Sequence, residues 1–374
     1  MGNKVHITIL GKEVLPAYYP IEMFAITEIY VIGTSQNYND NVYRNLERFC
    51  KSQGRNIYFV QVEAYDIKST ITECEKIHSK YDSDTEFLYN ITGGTKIMAL
   101  GAYRVATQHK ASVIYTNSKD YIDLNTYESK PLTCSLSNKD IFKLQGQELN
   151  DYVIWDYTTE TEHVIASKEI QKFIRYHYYD YKHLSDNCII NDSTIINTYS
   201  NKSITYSFID NHLLVTKNQE IILSVTSSNA KELLFRGRWW ECLVANAIAN
   251  WAKGRYEIWH SVVFMSANNP TDDIDTPVKN EIDILVNVGN TFVFVECKSG
   301  KLTQNEIYKM DYVKQTYGSD KSKSVLVSFR PLKEDLKIKA SDSRIAIISP
   351  EFRGDNVLKN IPTKMNEIVN SLIL

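Results

Sequence analysis

Apolar and polar positions follow two periods over the first third of the chain. Short β-branched runs at 5–10 (VHITIL), 28–34 (EIYVIGT), 56–62 (NIYFVQV), 86–92 (EFLYNIT) and 112–116 (SVIYT) predict strands. The segments between them repeat at the helical period: 40–54, where Val42, Leu46 and Phe49 share a face, 67–81 and 95–110. Such alternation predicts an α/β domain, a mostly parallel sheet with helices on both faces. A hairpin over 121–133 (YIDLNTYESKPLT) is expected to close it, giving a first domain over 1–145.

The pattern then changes twice. Residues 146–232 hold one long helical stretch, 165–184, and strand-like runs at 203–209 and 221–225. They predict a small α+β connector of helix and hairpin, winged-helix-like in outline. Its tyrosines suit either base stacking or plain packing. Residues 233–374 return to α/β. A helix over 237–253 lines up Trp240, Leu243, Val244, Ile248 and Trp251, and strands are expected at 256–264, 324–329 and 344–349. A polar loop at 268–279, a hairpin over 280–300, a helix starting at Thr303 and a last helix over 363–372 complete the region. Thr303 with Glu306 makes a capping box, and Gly318 stands where a C-terminal cap belongs.

Composition changes this picture little. A length of 374 residues exceeds what one core usually serves, which agrees with several domains. A net charge of -3 argues against a generally basic surface and leaves a local basic groove open. Six cysteines, with no CxxC and no Cys/His cluster, point to neither a zinc site nor a disulfide framework. No apolar run approaches the roughly 20 residues that span a bilayer, and MGNKVHITILG enters a strand pattern without a signal-peptide layout. A soluble, cytoplasmic protein with no membrane partner is expected.

Candidate chemistry gathers in two places. In NITGGTK (90–96) a strand runs through Gly93 and Gly94 straight into a helix, so backbone N–H groups, the helix N-terminus and Lys96 meet at one sheet edge. The spacing is neither GxGxxG nor a P-loop, which disfavours an ordinary dinucleotide or ATP site. Two glycines that simply turn the chain are the plainer reading. Gly33, Thr34 and Ser35 end another strand at the same expected edge, making Gly33, Thr34, Ser35, Asn90, Thr92, Gly93, Gly94, Thr95 and Lys96 candidate ligand contacts.

The second place is NEIDILVNVGNTFVFVECKSG (280–300). With a four-residue turn at 288–291, Asn287 pairs with Phe292, and counting outward sets Asp283 against Glu296 and Glu281 against Lys298. Like charges directly opposite are unfavourable, and a divalent cation between them reverses the sign. Oxygen ligands suit Mg²⁺ or Mn²⁺. Lys298 shares the strand parity of Glu296 and faces the same side. The plainer alternative is a solvated strand end with a Glu281–Lys298 ion pair.

Asp283 followed by Glu296-Cys297-Lys298 resembles the PD-(D/E)xK nuclease superfamily, with its restriction-endonuclease-like fold. The usual proline before the first acid is replaced by Ile282. The resemblance implies that Glu241, Asp283 and Glu296 bind metal, that the Cys297 carbonyl assists, that Lys298 is catalytic, and that Gln304 lies nearby. With that domain in place, 90–106 (NITGGTKIMALGAYRVA) is similar to the strand-turn-helix element of CARF domains, the Rossmann-like sensors of type III CRISPR defence. The order CARF (1–145), connector (146–232), nuclease (233–374) resembles the CRISPR-associated CARF nucleases.

The resemblance implies a homodimer that binds cyclic oligoadenylate, cyclic tetra-adenylate in the first instance, and then cleaves DNA, RNA or both nonspecifically. Two alternatives stand beside it. One is a ligand-responsive nucleic-acid-binding regulator with an inert C-terminal domain; the other is a repair or restriction nuclease that takes no cyclic ligand.

Overall fold

The computed structural model describes residues 4–373 apart from 118, 157–159, 191–193, 265–279, 320 and 353. The expected polar loop over 268–279 lies outside the described residues. Contacts divide the chain into two compact units. The first takes in the residues up to Leu149 together with Gly289–Thr291. The second takes in Asn150–Phe264, the strands that follow and the C-terminal helices. Among the described residues no helix is long and apolar enough to cross a membrane.

The first unit runs β1 (Lys4–Ile9), α1 (Leu15–Met23), β2 (Glu28–Gly33), α2 (Ser35–Asn39), α3 (Val42–Ser52), β3 (Asn56–Gln61), α4 (Ile67–His78), β4 (Glu86–Asn90), α5 (Lys96–Gln108), β5 (Ser112–Thr116), β6 (Asp120–Asp123), β7 (Glu128–Pro131) and α6 (Asn138–Leu144). Its sheet has the order β3-β2-β1-β4-β5-β6-β7, parallel through β5 and closed by the expected hairpin. One face of β1, with Val5, Ile7 and Ile9, packs on Cys74 and Ile77 of α4 and Met98, Ala102 and Val105 of α5.

Helix α1 is not anticipated by periodicity. Leu15, Ala17, Tyr18, Tyr19, Pro20 and Ile21 are all buried, so there is no polar face for a period to reveal. The helix expected over 40–54 begins at Val42, because Asn41 adopts a left-handed conformation (φ 62) that ends the short α2.

The second unit opens with β8 (Leu149–Ile154), α7 (Glu160–Tyr176), α8 (Tyr178–Cys188), β9 (Ile189–Ile190), β10 (Thr194–Ile195), β11 (Thr198–Ser200), β12 (Ile204–Ile209), β13 (His212–Lys217), β14 (Glu220–Thr226) and α9 (Ala230–Phe235). It continues with α10 (Arg238–Ala252), β15 (Glu257–Phe264), β16 (Asn280–Asn287), β17 (Phe292–Lys298), α11 (Gln304–Tyr317), β18 (Lys323–Ser328), α12 (Glu334–Asp342), β19 (Ile345–Ile348) and α13 (Ile361–Ile373).

Two expectations for the connector need correcting. The single helix over 165–184 is two helices broken at His177 (φ -125, ψ 41), an arrangement that lets Phe173 and Ile174 on one and Leu184 and Cys188 on the other all reach the core. The hairpin is part of a four-stranded antiparallel sheet, β11-β12-β13-β14, because HLLVTK is also a strand.

β8, unforeseen in the sequence, lies at the edge of the six-stranded sheet β19-β18-β17-β16-β15-β8. One core cluster joins connector positions such as Ile170, Phe173 and Leu213 to Leu243 and Ile248 of α10, to Val293 and Val295 of β17 and to Met365 of α13. A second cluster, with Ile307 and Met310 of α11, Leu326 and Ala340, covers the other face. β17 is therefore buried on both sides through Cys297, and Lys298 is its first partly exposed residue. Helix α11 has its capping box, the Thr303 N–H donating to Glu306 at 2.9 Å. Gly318 ends α11 in extended backbone (φ -97, ψ -179), and glycine is needed there because a Cβ would sit 2.6 Å from the Lys314 carbonyl oxygen.

Candidate active site

Asp283, Glu296 and Lys298 lie where two regular ladders give out. The four-residue turn produces the register Asn287↔Phe292, Val286↔Val293, Leu285↔Phe294 and Ile284↔Val295, and the described pairing stops there. On the other edge of β16, pairing to β15 flanks Asp283 at His260↔Ile284 and Val262↔Ile282, but Ser261 between them is left-handed (φ 51). A non-glycine residue held in that region inside a strand is strained, a condition that concentrates at functional sites. Released from regular pairing, Asp283 accepts the Cys297 N–H on Oδ2 at 2.6 Å.

The electrostatics follow from this crowding. Burial first, and then the charges of Glu296 and Glu241, push the Asp283 carboxyl well above the usual carboxylate range. Glu241, in the first turn of α10, is pushed up to about 7 by burial, against the pull of Arg238 and with repulsion from Glu281 and Glu296 added. Glu296 is 7% exposed and receives Lys298 Nζ on Oε1 at 2.7 Å. Burial opposes the charge of Lys298, but Glu296 and Asp283 outweigh it and hold its pKa above the ordinary lysine value. Lys298 therefore stays an ammonium at neutral pH.

The expected Glu281–Lys298 pair is not formed. With the ladder ended at Ile284, Glu281 faces Val263 of β15 and acts on Glu241, while Lys298 turns to its own strand neighbour. Gln304 is exposed at the start of α11 and makes no hydrogen bond among the described residues. Gly237, which heads α10 at φ 78, brings that helix against β17: a Cβ there would stand 2.8 Å from Ser299 Oγ, one residue past Lys298. That approach carries Glu241 to the acids, and Arg238, unmarked by any sequence pattern, comes with it.

Among the described residues no three His, Cys, Asp or Glu side chains close into a metal cage. Asp283 is turned to Cys297 and Glu296 to Lys298. The donor chemistry nonetheless fits a hard divalent cation, since three carboxylates lie within electrostatic reach of one another and a cation relieves their repulsion. Burial pushes the Cys297 thiol well up, so it stays protonated and only its carbonyl is available.

At the edge of the first unit, β1, β2 and β4 end together, and the strand order reverses beside β1. Ligands of open α/β sheets bind at such an edge. Here the glycines have a packing reason. A Cβ on Gly93 would stand 2.2 Å from the Ile9 carbonyl oxygen, and Gly94 is left-handed (φ 70). A third turn, at Gly11, which no motif marked, meets them and accepts Asn37 Nδ2 at 3.0 Å.

Several candidate contacts are already engaged. Asn90 is buried and donates to Thr8 and Pro16, Thr92 bonds Asn90 and Thr116, Thr34 bonds Asn37, and Thr95 caps α5 and donates to the Ala64 carbonyl. Gly33 is packed on Phe59. Ser35, Gly94 and Lys96 remain exposed at the rim.

Residues 5–142 match the family model for the Card1 CARF domain, and residues 228–366 match that for the Card1-like endonuclease domain. No curated protein matches the chain. Among solved structures, Can2 from Sulfobacillus thermosulfidooxidans in complex with cyclic tetra-adenylate is similar at TM-score 0.71 and 18% identity, over 98% of this chain and 99% of that one. Protein VC1899 from Vibrio cholerae is similar at TM-score 0.74 and 15% identity, over 99% and 98%. A type III CRISPR defence DNA nuclease activated by cyclic oligoadenylate aligns at TM-score 0.57 and 12% identity, over 98% of this chain and 52% of its own. At such identities the structural likeness speaks for the fold, whereas the two family matches speak for the domains themselves. The chain is accordingly a CARF-domain nuclease of the Card1 type, with its CARF domain at residues 5–142 and its endonuclease domain at 228–366.

Proposed function

We propose that the chain is a divalent-metal-dependent nuclease of the PD-(D/E)xK kind, acting as a cytoplasmic homodimer in type III CRISPR defence. Cyclic oligoadenylate, cyclic tetra-adenylate in the first instance, binds its CARF domains and switches on nonspecific cleavage of DNA, RNA or both. The observation that carries this reading is the set of three mutually repelling carboxylates with a charged lysine at the broken end of the β16–β17 ladder. The Can2 complex and the cyclic-oligoadenylate-activated nuclease support the choice of ligand.

Glu241, Asp283 and Glu296, with the Cys297 carbonyl, would hold Mn²⁺ or Mg²⁺. Such an ion, when bound, polarises a phosphodiester and lowers the pKa of water. Lys298, held as an ammonium beside Glu296, would donate hydrogen bonds to a phosphate oxygen and stabilise charge that builds there. In the CARF domain, Ser35, Lys96 and the backbone around Gly94 are the groups free to meet a phosphate. A two-fold dimer suits a ring whose halves are equivalent. Activation requires that the ligand bind the cleavage-competent arrangement more tightly than the resting one.

The test is a gel assay on plasmid, single-stranded DNA and RNA, with and without cyclic tetra-adenylate and Mn²⁺. Cleavage is expected only with both present. Glu296→Ala and Lys298→Ala each lower the rate on the order of 100-fold or more, with cyclic tetra-adenylate affinity unchanged. Equal cleavage without the cyclic ligand would remove the sensor from the proposal. Full activity in either variant would remove the site.

A further inference from the structure

Next to the acids of the endonuclease domain is a cavity of about 70 Å³. Glu241 and Asp283 line one side; Trp155, Glu160 and His163 of the 150–232 segment and His260 of β15 line the other. This second wall stands apart from the acids and the lysine, with Glu160 and Trp155 buried and His163 and His260 partly buried. Glu160 is 8% exposed and its Oε1 lies 3.2 Å from His260 Nε2. His163 Nδ1 is 2.8 Å from Ser227 Oγ, which fixes that ring. The His260 ring meets Trp155 edge to face, centroids 5.7 Å apart.

Trp155 is the exception among them. It is 7% exposed, and its indole Nε1 has no hydrogen-bond partner among the described residues. An indole N–H is a donor only, and leaving one buried and unsatisfied costs about 1–3 kcal/mol. It therefore calls for an acceptor inside the cavity. The space decides which one. At roughly 30 Å³ per molecule it takes about two waters. The lining sets the Arg238 guanidinium among Glu160, Glu241 and Asp283, so the molecule that fits is a small one that accepts from the indole and donates to carboxylates. Water does both.

We propose that Trp155 is a positioning residue of the nuclease site: through water held in this cavity its indole N–H fixes the orientation of the Glu241 and Asp283 carboxylates. The 150–232 segment then completes the endonuclease domain. Groups that orient metal-binding side chains from behind change metal affinity when they are removed. This inference rests on the reading that those carboxylates hold a divalent cation.

The experiment uses the full-length chain and Trp155→Phe, which keeps an aromatic ring and deletes the N–H. Isothermal titration calorimetry with Mn²⁺ should show the dissociation constant rising on the order of 10- to 100-fold. Cleavage should recover toward the wild-type rate as Mn²⁺ is raised, whereas a purely structural role would lower the melting temperature of the metal-free protein without this rescue. Unchanged Mn²⁺ affinity in folded Trp155→Phe overturns the inference. A second measurement does not depend on that variant folding: a high-resolution crystal structure of the wild type should show water within about 3 Å of Trp155 Nε1, and a dry cavity overturns it. A wild type that neither binds Mn²⁺ nor cleaves brings down the metal reading itself. A wild type that does both, beside an indistinguishable variant, brings down only the role of Trp155.

Discussion

Glu241 shows how burial and like charge set the pH response of this domain. Its carboxyl is lifted from 4.5 to about 7, chiefly by burial, and Asp283 is raised further by burial together with Glu296 and Glu241. For a carboxyl whose folded-state pKa lies above its unfolded value, the unfolded chain ionises first as pH rises. Stability therefore falls through the interval from 4.5 to about 7 and stays low above it. The metal-free protein should melt at a lower temperature at about pH 8 than at about pH 5. Glu241→Gln should flatten that slope and Mn²⁺ should oppose it, all three read by thermal denaturation. At this scale counting the hairpin register sets Asp283 against Glu296, whereas the described ladder stops one pair short of them and Asp283 accepts the Cys297 N–H instead. Counting alone also sets Glu281 against Lys298, because it assumes the ladder continues, and the left-handed Ser261 and the Asp283–Cys297 bond mark where it does not. Arg238 and Trp155 carry no local signal; only packing brings them to the acids.

Elements that depend on periodicity were legible in proportion to how one-sided they are. α4 and α5, amphipathic and half-exposed, were found, while α1, apolar all round, was not. The break at His177 leaves no mark in the periodicity because two helices in succession continue one another's pattern. Glycines tell a related story: Gly93 reads as ligand chemistry in the sequence and as close packing on β1 in the fold. Gly237 makes the point testable, since it is left-handed and faces Ser299 at 2.8 Å from where a Cβ would stand. Gly237→Ala should cost about 1–2 kcal/mol from backbone conformation alone, measured by denaturant unfolding. It should also slow cleavage, because relieving the contact moves the start of α10, and Glu241 with it, away from β17.

For the whole molecule, alternation of strands and helices reads as α/β at both ends of the chain, while the part between them shows only in outline. Its strands are short and its helices pack on neighbours distant in sequence, so composition reads as a linker where the fold has a shared core. That core has a practical consequence. The endonuclease family match spans 228–366, yet the cluster around α10 draws in Trp155, Ile170, Phe173 and Leu213 before it and Ile368, Val369 and Leu372 after it, and β8 occupies one edge of the sheet. A fragment cut at the matched residues should therefore be insoluble or molten, with an open β15 edge and stripped apolar surface. A fragment over 146–374 should give a cooperative melting transition, and circular dichroism on the two separates these outcomes. The stretch that matches the family in this half of the chain is thus shorter than what must be made together for it to fold, and trimming to that stretch discards Trp155 and Glu160 along with the scaffold.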